Sequence, residues 1–346
     1  MNTINISYSS RSSDPVLGHE DWSFSASQLL KIFFSMLFIR RFEERCADFY
    51  AQGRIRGFCH LCIGQEAIPV ALQWARNVDV DSIITAYRCH GYMLACGADA
   101  KAVMLELLGM DGGSSKGKGG SMHLFSTQNK FYGGHGIVGA SSALGTGLAF
   151  AHKYRQDGGV CIACFGDGAA NQGQFFESMN MAALWHLPVL YVIENNGYSM
   201  GTSVERGCAN SNALYSRGNP FGIPGYCCQG DDFFEVFTHV KKRISEVRER
   251  KGPVVLEIQT HRFKGHSMSD PGTYRSKETL EHVKKNKDPI KNLKLALQQV
   301  HGVTLEEIAL QETQVKHLLQ DILQWVETAQ YPLVSALDDH VYTSHG

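Results

Sequence analysis

The 346-residue chain has no hydrophobic run long enough to cross a bilayer. Its greasiest stretch, Leu29 to Ile39, carries Lys31 and is too short. Neither charge is in excess: 33 Lys and Arg stand against 34 Asp and Glu. That balance gives no electrostatic footprint for nucleic acid or an anionic membrane as partner. The first 22 residues, MNTINISYSSRSSDPVLGHEDW, have no apolar centre of the kind a signal peptide needs, and they are short and mixed in charge for an organelle transit peptide. Ten cysteines are present, but a zinc framework is not. Cys161-x-x-Cys164 falls in an expected strand, where residues three apart face opposite ways. Cys59-x-x-Cys62 escapes that objection but has no second pair to complete a tetrahedral set. Most of the thiols therefore read as buried and free, which fits a reducing compartment.

What the chain does have is centred on Val160 to Met200, VCIACF-GDGAANQGQFFESMNMAALWH-LPVLYVIENNGYSM. Val160 to Phe165 is a short β-branched run stopped by Gly166, the mark of a buried strand. A helix is expected from about Gln174 to Trp185, with Phe176, Met179, Ala183 and Leu184 on its apolar face. Leu187 to Ile193 is a second buried strand. Gly166-Asp167-Gly168 and Asn195-Asn196-Gly197-Tyr198 then lie at the same carboxyl edge of two parallel strands, where open α/β sheets bind ligands. The Asp167 carboxylate, the Asn196 amide oxygen and backbone carbonyls beyond it are hard donors suited to Mg²⁺, which is commonly shared with phosphates. Glycines flanking Asp167 let the backbone approach a phosphate closely. GDG, a helix-length gap and NN together resemble the thiamine diphosphate-binding signature.

Around this centre, Ser25 or Ser27 caps a long helix to about Gln52, with Leu30, Phe33, Met36, Leu37 and Phe42 inward. Arg40 to Arg45 reads as a solvated, ion-paired face. Gly53 to Gln65 is irregular, and His60 within it reads as an ordinary loop histidine. Gln65 to Arg76 is a helix. Ser82 to Ala86 is a strand ending in Tyr87-Arg88, where the arginine is either a phosphate clamp or a structural ion-pair member. Asp111 to Tyr132 approaches a P-loop, but no Ser or Thr follows Lys118, so a mobile loop is expected. Gly134-x-Gly136-x-x-Gly139 imitates a dinucleotide fingerprint, yet FSTQNKFYG before it is a poor strand. A small-residue helix follows, Ser141 to Lys153. Gly201 to Gly230 is expected to be loop, Asp231 to Lys251 helix and Val254 to Thr260 strand. The loop His261 to Arg275 leaves that strand and carries His266, a proton-transfer candidate. The last helix, Thr304 to Ala329, should turn Leu310, Leu318, Leu319, Ile322 and Trp325 inward.

Eight runs then carry a resemblance over roughly Gln28 to Asn292: RGFCHL-x-x-GQEA, ITAYR-x-HG, GKGGSMH, FYGG-x-GIVGA, GDGAANQGQ-x-FE, NMAALW, ENN-x-YSMGTS and GHSMSDPGTYR. Together they resemble the alpha subunits of the pyruvate dehydrogenase component of the thiamine diphosphate-dependent 2-oxoacid dehydrogenases. The resemblance implies an α/β fold, a mostly parallel sheet with helices on both faces and helical N- and C-terminal segments. The expected division is a flexible segment 1–24, an α/β domain 25–292 and a helical segment 293–346. It implies Mg²⁺ held by Asp167, Asn196 and the Tyr198 carbonyl. It places the diphosphate on Tyr87, Arg88, Gly168, Ala169, Arg262 and His266, and the thiazolium and aminopyrimidine near Gly136 and Val138. His60 moves to the substrate side, as a catalytic candidate beside His266, with Gln128 as a further substrate-side position.

The activity implied is oxidative decarboxylation of pyruvate with acetyl transfer to the lipoyl group of dihydrolipoyl acetyltransferase, giving acetyl-CoA and CO₂ in the whole complex. The runner-up is a branched-chain 2-oxoacid or acetoin dehydrogenase alpha subunit, against which the GFCHL and GHSMSDP runs speak. No second α/β unit is present to supply an activating glutamate, so a separate beta subunit and an α2β2 heterotetramer are expected. The compartment would be the cytoplasm in a bacterium, with the mitochondrial matrix left open. Lys264 departs from a frequent histidine of the family. The loop Lys264 to Arg275 is expected to take its form only when the diphosphate binds.

Overall fold

The computed structural model describes residues 24–250 and 252–341; the expected flexible segment, apart from residue 24, lies outside them. In chain order the elements are α1 (Ala26–Ala51), α2 (Ala67–Ala75), β1 (Ser82–Ala86), α3 (His90–Ala95), α4 (Ala100–Leu107), β2 (Phe131–His135), α5 (Ala140–Arg155) and β3 (Cys161–Gly166). There follow α6 (Gly173–Leu184), β4 (Val189–Asn195), the two-residue strands β5 (Tyr198–Ser199) and β6 (Thr202–Ser203), α7 (Val204–Gly207) and β7 (Gly225–Gln229). The chain continues through α8 (Phe233–Arg250), β8 (Val254–Gln259), α9 (Lys277–Asn286), α10 (Pro289–Gln299) and α11 (Leu305–Thr328).

Six strands form one parallel sheet in the order β2-β1-β3-β4-β8-β7. Period-two alternation splits β4 between two cores. Leu190 and Val192 join the apolar layer built with α1, α2 and α8, while Val189, Tyr191 and Ile193 face the layer of α5 and α6. Helices therefore cover both faces, as a parallel sheet requires. Cys161 and Cys164 fall in opposite layers, and all ten cysteines are free thiols.

The central strands match the sequence expectation to within two residues. The edges do not. The sequence reads as poor strand at β2 and as loop at β7, yet each pairs in parallel with its neighbour. FYGGH and GYCCQ are glycine-containing edge segments needing only one partner, so neither shows a continuous apolar run. The strand context of Gly134-x-Gly136-x-x-Gly139 thus exists, and its absence is not an argument against dinucleotide binding.

α1 begins with a capping box in which Ser25 Oγ accepts the Gln28 N–H at 3.2 Å and the Gln28 side chain accepts the Ser25 N–H at 2.8 Å. Its charged cluster is only half solvated. Arg40 turns inward to pair with Glu66 and Asp288, and buried Glu43 accepts the Cys62 N–H and bonds His90 Nδ1, both at 2.8 Å. Arg41, Glu44 and Arg45 stay outside. On α11, Leu319 and Ile322 face in, but Leu310 and Trp325 are 55 % and 52 % exposed; Ile308, Val315 and Val326 fill the inner face instead. On α6, Leu184 is likewise exposed and Phe175 and Ala182 are buried. α10 runs through residue 292, and α10 and α11 pack on α1 in the same core as the rest.

The glycine-rich run after α4 is a wrapped turn, not the expected mobile loop. Buried Glu106 accepts the N–H groups of Ser115, Gly117, Gly119 and Gly120 at 2.7, 2.8, 2.7 and 3.0 Å. The amides that would cradle a phosphate are already taken by this carboxylate. Gly113 lies so close that a Cβ there would sit 2.5 Å from Glu106 Oε2. Glu106→Leu leaves four part-buried donors without their acceptor and should cost about 3 kcal/mol. The denaturant midpoint measures this; a shift below about 0.5 kcal/mol would mean that the amides find other acceptors.

Candidate functional site at the carboxyl edge of the sheet

Because every strand of the main sheet runs the same way, the segments following β1, β3, β4 and β8 emerge along one edge. They bring together Tyr87 and Arg88, Asp167 and Gly168, Asn196 and Tyr198, and Arg262 with His266. Asp167 is 2 % exposed and accepts from Ser199 Oγ at 3.0 Å, which joins the turn after β3 to the turn after β4. Gly168 is required by that approach: a Cβ would lie 2.3 Å from Ser199 Oγ. Arg262, 1 % exposed, donates from Nε to Asn196 Oδ1 at 2.9 Å and from Nη2 to the carbonyls of Tyr198 and Met200 at 3.3 and 3.2 Å. Asn195 closes its turn by accepting the Gly197 N–H at 3.0 Å and anchors to Glu257 at 2.7 Å.

The three rings of His60, Tyr87 and His266 pack into a cluster. Their centroids are 4.3 Å apart for His60 and Tyr87, 5.0 Å for His60 and His266, and 5.5 Å for Tyr87 and His266. Arg88 donates to the carbonyls of Leu61 at 2.6 Å and His266 at 2.9 Å, which ties both histidine loops to the end of β1. His60 is therefore part of this constellation and not the isolated loop histidine expected from its position alone.

Electrostatics follow from this crowding. Burial, with Arg88 and His266 adding positive charge, pushes the His60 imidazole down to about 2. Burial and the charges of Arg88 and Arg262 bring His266 down to about 4. Burial and the nearby Arg262 also lower Arg88. Burial raises Asp167, against the Ser199 hydroxyl and Arg262. Two buried guanidinium groups and two neutral imidazoles make a basin of positive potential beside one desolvated carboxylate.

Several buried polar atoms here have no protein partner: His60 Nδ1, Thr85 Oγ1, Thr260 Oγ1 and Arg262 Nη1. Orphaned buried donors cost free energy unless a ligand satisfies them. The donor set of Asp167, Asn196 and the Tyr198 carbonyl suits a hard cation. The residues present thus fit a magnesium diphosphate.

Gly136 and Val138 lie in the turn from β2 to α5, at the same carboxyl edge. Val138 is exposed, and its carbonyl accepts from Gln174 Nε2 at 2.8 Å, tying the turn to α6. Ala169 is buried in the turn behind Gly168. Gln128 is not brought to the site. It lies exposed in the 3-10 turn Thr127–Asn129 that precedes β2, at the amino edge of a strand whose carboxyl end carries Gly136.

Sequence reasoning missed two neighbours. Ser199 touches Asp167, and His123 comes close enough to Gly136 that a Cβ there would sit 3.3 Å from its Nε2. Both lie inside the runs that carry the resemblance, but only the folded chain shows what they touch. The loop after β8 is closed by hydrogen bonds of its own. Asp270 accepts the His266 and Gly272 N–H groups at 2.6 and 2.8 Å and the Tyr274 hydroxyl at 2.7 Å. Arg275 closes it by donating to the Arg262 and Lys264 carbonyls, each at 2.6 Å.

A cavity of about 310 Å³ between α1, α3, α4 and α11 is lined by Phe34, Phe38, Leu94, Leu318 and Ile322. Its wall is mostly apolar, with Ser35, Asp99 and Lys101 also lining it, and it belongs to the helical packing, away from the strand ends.

Comparison with known proteins gives the family of the chain. The sequence profile of the family described as "Dehydrogenase E1 component" matches residues 34–335. A pyruvate dehydrogenase E1 component subunit alpha from Zymomonas mobilis subsp. mobilis is 52 % identical over 317 residues, 92 % of this chain and 88 % of that protein. The protein of the same name from Rhizobium meliloti is 50 % identical over 314 residues, 91 % of this chain and 90 % of the relative. A mitochondrial one from Dictyostelium discoideum is 46 % identical over 316 residues, 91 % and 82 % of the two chains.

Proposed function

Since the chain belongs to the dehydrogenase E1 component family, we propose that it is the alpha subunit of a pyruvate dehydrogenase and holds the diphosphate half of thiamine diphosphate through Mg²⁺. The observation that carries this reading is the meeting, at one sheet edge, of the Asp167, Asn196 and Tyr198 oxygens with the spare donor of Arg262. Thiamine diphosphate, when bound, supplies the carbanion chemistry of 2-oxoacid decarboxylation. The chain's own work is to bind, orient and exclude water.

Asp167, Asn196 and the Tyr198 carbonyl would hold the cation. Tyr87, Arg88, Gly168, Ala169, Arg262 and His266 would hold the diphosphate. Gly136 keeps the turn after β2 free of a side chain, and the Val138 side chain would support the bent cofactor. His60 and His266 carry neutral imidazoles that can donate to, or accept from, an anionic reaction partner without repelling each other. His60 would lie toward pyruvate. The lipoyl group of dihydrolipoyl acetyltransferase is the acetyl acceptor, which gives acetyl-CoA and CO₂ in the whole complex.

A beta subunit would bring the glutamate that activates the aminopyrimidine, in an α2β2 heterotetramer. No helix among the described residues is long and apolar enough to cross a membrane. A bacterial chain would work in the cytoplasm, and the matrix is the corresponding place in a eukaryote.

The test is reconstitution. The purified chain with thiamine diphosphate and Mg²⁺ should bind the cofactor yet show under about 1 % of the pyruvate turnover gained when the beta subunit is added. Full turnover by the chain alone overturns the two-subunit site. Faster turnover of 2-oxoisovalerate than of pyruvate by the reconstituted pair overturns the substrate assignment.

A further inference from the structure

A bound diphosphate would give Arg262 a phosphate to hold, but the structure gives this side chain a second task. Its Nε–H can only donate, so the 2.9 Å bond to Asn196 fixes the amide with its oxygen toward the guanidinium and its nitrogen away. An amide oxygen has two lone pairs, so one stays open for a cation. Nη2 reaches the Tyr198 carbonyl at 3.3 Å and the Met200 carbonyl at 3.2 Å, drawing the turn after β4 around the same group. Nη1 is buried without a partner. One residue therefore orients two of the three oxygens assigned to the cation and keeps a spare charged donor. Its own positive charge, 1 % exposed, is close enough to Asp167 to act on that carboxylate.

Resting on the thiamine diphosphate reading, we propose that Arg262 is a positioning residue that makes the cation and the diphosphate bind as one unit. With no phosphate beside it, the buried guanidinium disfavours a divalent cation among oxygens it already engages. Once phosphate oxygens occupy Nη1, that charge is neutralised, and the Asn196 and Tyr198 oxygens remain aimed as Arg262 set them. Each ligand then strengthens the other by the same factor, because coupling between two sites is reciprocal. A residue that only touched phosphate would weaken diphosphate binding equally with and without metal.

The experiment uses the full chain with its beta subunit and inorganic pyrophosphate as the probe, with thiamine diphosphate in parallel. Affinity is measured by calorimetry with chelator and with saturating Mg²⁺. In the wild-type chain Mg²⁺ should tighten pyrophosphate by at least about tenfold. Arg262→Gln should reduce that ratio to within about threefold, with the melting temperature of the ligand-free protein little changed. Arg262→Lys keeps the charge and loses the fork, so it should bind pyrophosphate in chelator nearly as the wild type does while still losing most of the ratio.

An unchanged ratio in Arg262→Gln, with both affinities falling together, overturns the coupling role but leaves the cofactor reading standing. If Arg262→Gln does not fold, Arg262→Lys decides alone: a full wild-type ratio overturns the proposal. If the wild-type protein binds neither probe under either condition, the cofactor reading fails and this proposal with it.

Discussion

Replacing Asp167 by alanine should cut Mg²⁺-dependent thiamine diphosphate binding by more than about 100-fold and remove pyruvate turnover with it. Groups that only support a metal ligand cost about 10 to 100-fold in metal affinity when removed, so a charged ligand itself should exceed that range. The effect should be large for a reason visible in the protein. Asp167 is buried at the end of β3, and burial raises its carboxyl despite the Ser199 bond and the Arg262 charge. A carboxylate held this dry is costly to keep without a cation.

Stability should move in the opposite direction to affinity. Asp167→Asn removes a desolvated ionisable group while keeping an acceptor for Ser199 Oγ. The ligand-free variant should therefore melt no lower than wild type, and even slightly higher. Magnesium thiamine diphosphate should raise the wild-type melting temperature by ligand linkage and leave the variant's unchanged. Ser199→Ala, which loses only the 3.0 Å bond, should fall between them, at about 10-fold in affinity. Equal cofactor protection of wild type and Asp167→Asn would remove Asp167 from the cation site.

Much of this arrangement is legible in the sequence, and the limits are physical. β3 and β4 are buried on both faces, so they appear as nearly unbroken apolar runs, and the turns that follow them can be aligned without a structure. β2 and β7 are edge strands with glycines at Gly133, Gly134 and Gly225, and nothing local marks them as strands. Arg40 and Glu43 look like part of a solvated helix face because their partners, Glu66, Asp288 and His90, are distant in sequence. His60 has the same difficulty when read from its position alone. The resemblance moves it to the site, and the folding of two loops onto Tyr87 and Arg88 shows what brings it there. Gln128 shows the reverse case: a position nominated by motif alignment sits at the opposite edge from the strand ends. Glu106 shows a third. A glycine-rich run with spare amides suggests a phosphate, and the chain supplies its own carboxylate instead.

Acid should destabilise the ligand-free protein well above the pH at which its surface carboxylates titrate, and the histidine pair should be the main cause. His60 and His266 are pushed down to about 2 and about 4 in the folded chain. Unfolding returns each to an ordinary value near 6.5. Between those limits the unfolded chain binds more protons than the folded one, so stability rises with pH and is lost as pH falls below about 6.5. The loss levels off only below the folded values. A tenfold change in proton affinity corresponds to about 1.4 kcal/mol, so from pH 6.5 to 4.5 two histidines would cost at most about 5 kcal/mol. His266 is partly exposed, and solvent screening reduces this to about 3 kcal/mol for the pair.

Other groups act in the same range. Half-buried His261, also lowered to about 4, adds to the loss, whereas the raised carboxyls of Asp167, Glu194 and Glu257 oppose it. The comparison that isolates the pair is therefore wild type against His60→Asn/His266→Asn. The double variant should have a flatter stability profile between pH 6.5 and 4.5, by about 3 kcal/mol, measured from denaturant midpoints. A diphosphate beside these rings favours their charged forms, so magnesium thiamine diphosphate should flatten the wild-type profile as well. Parallel profiles for wild type and double variant would mean that the two imidazoles are not held neutral by burial beside Arg88 and Arg262, and the basin of positive charge at the sheet edge would lose its support.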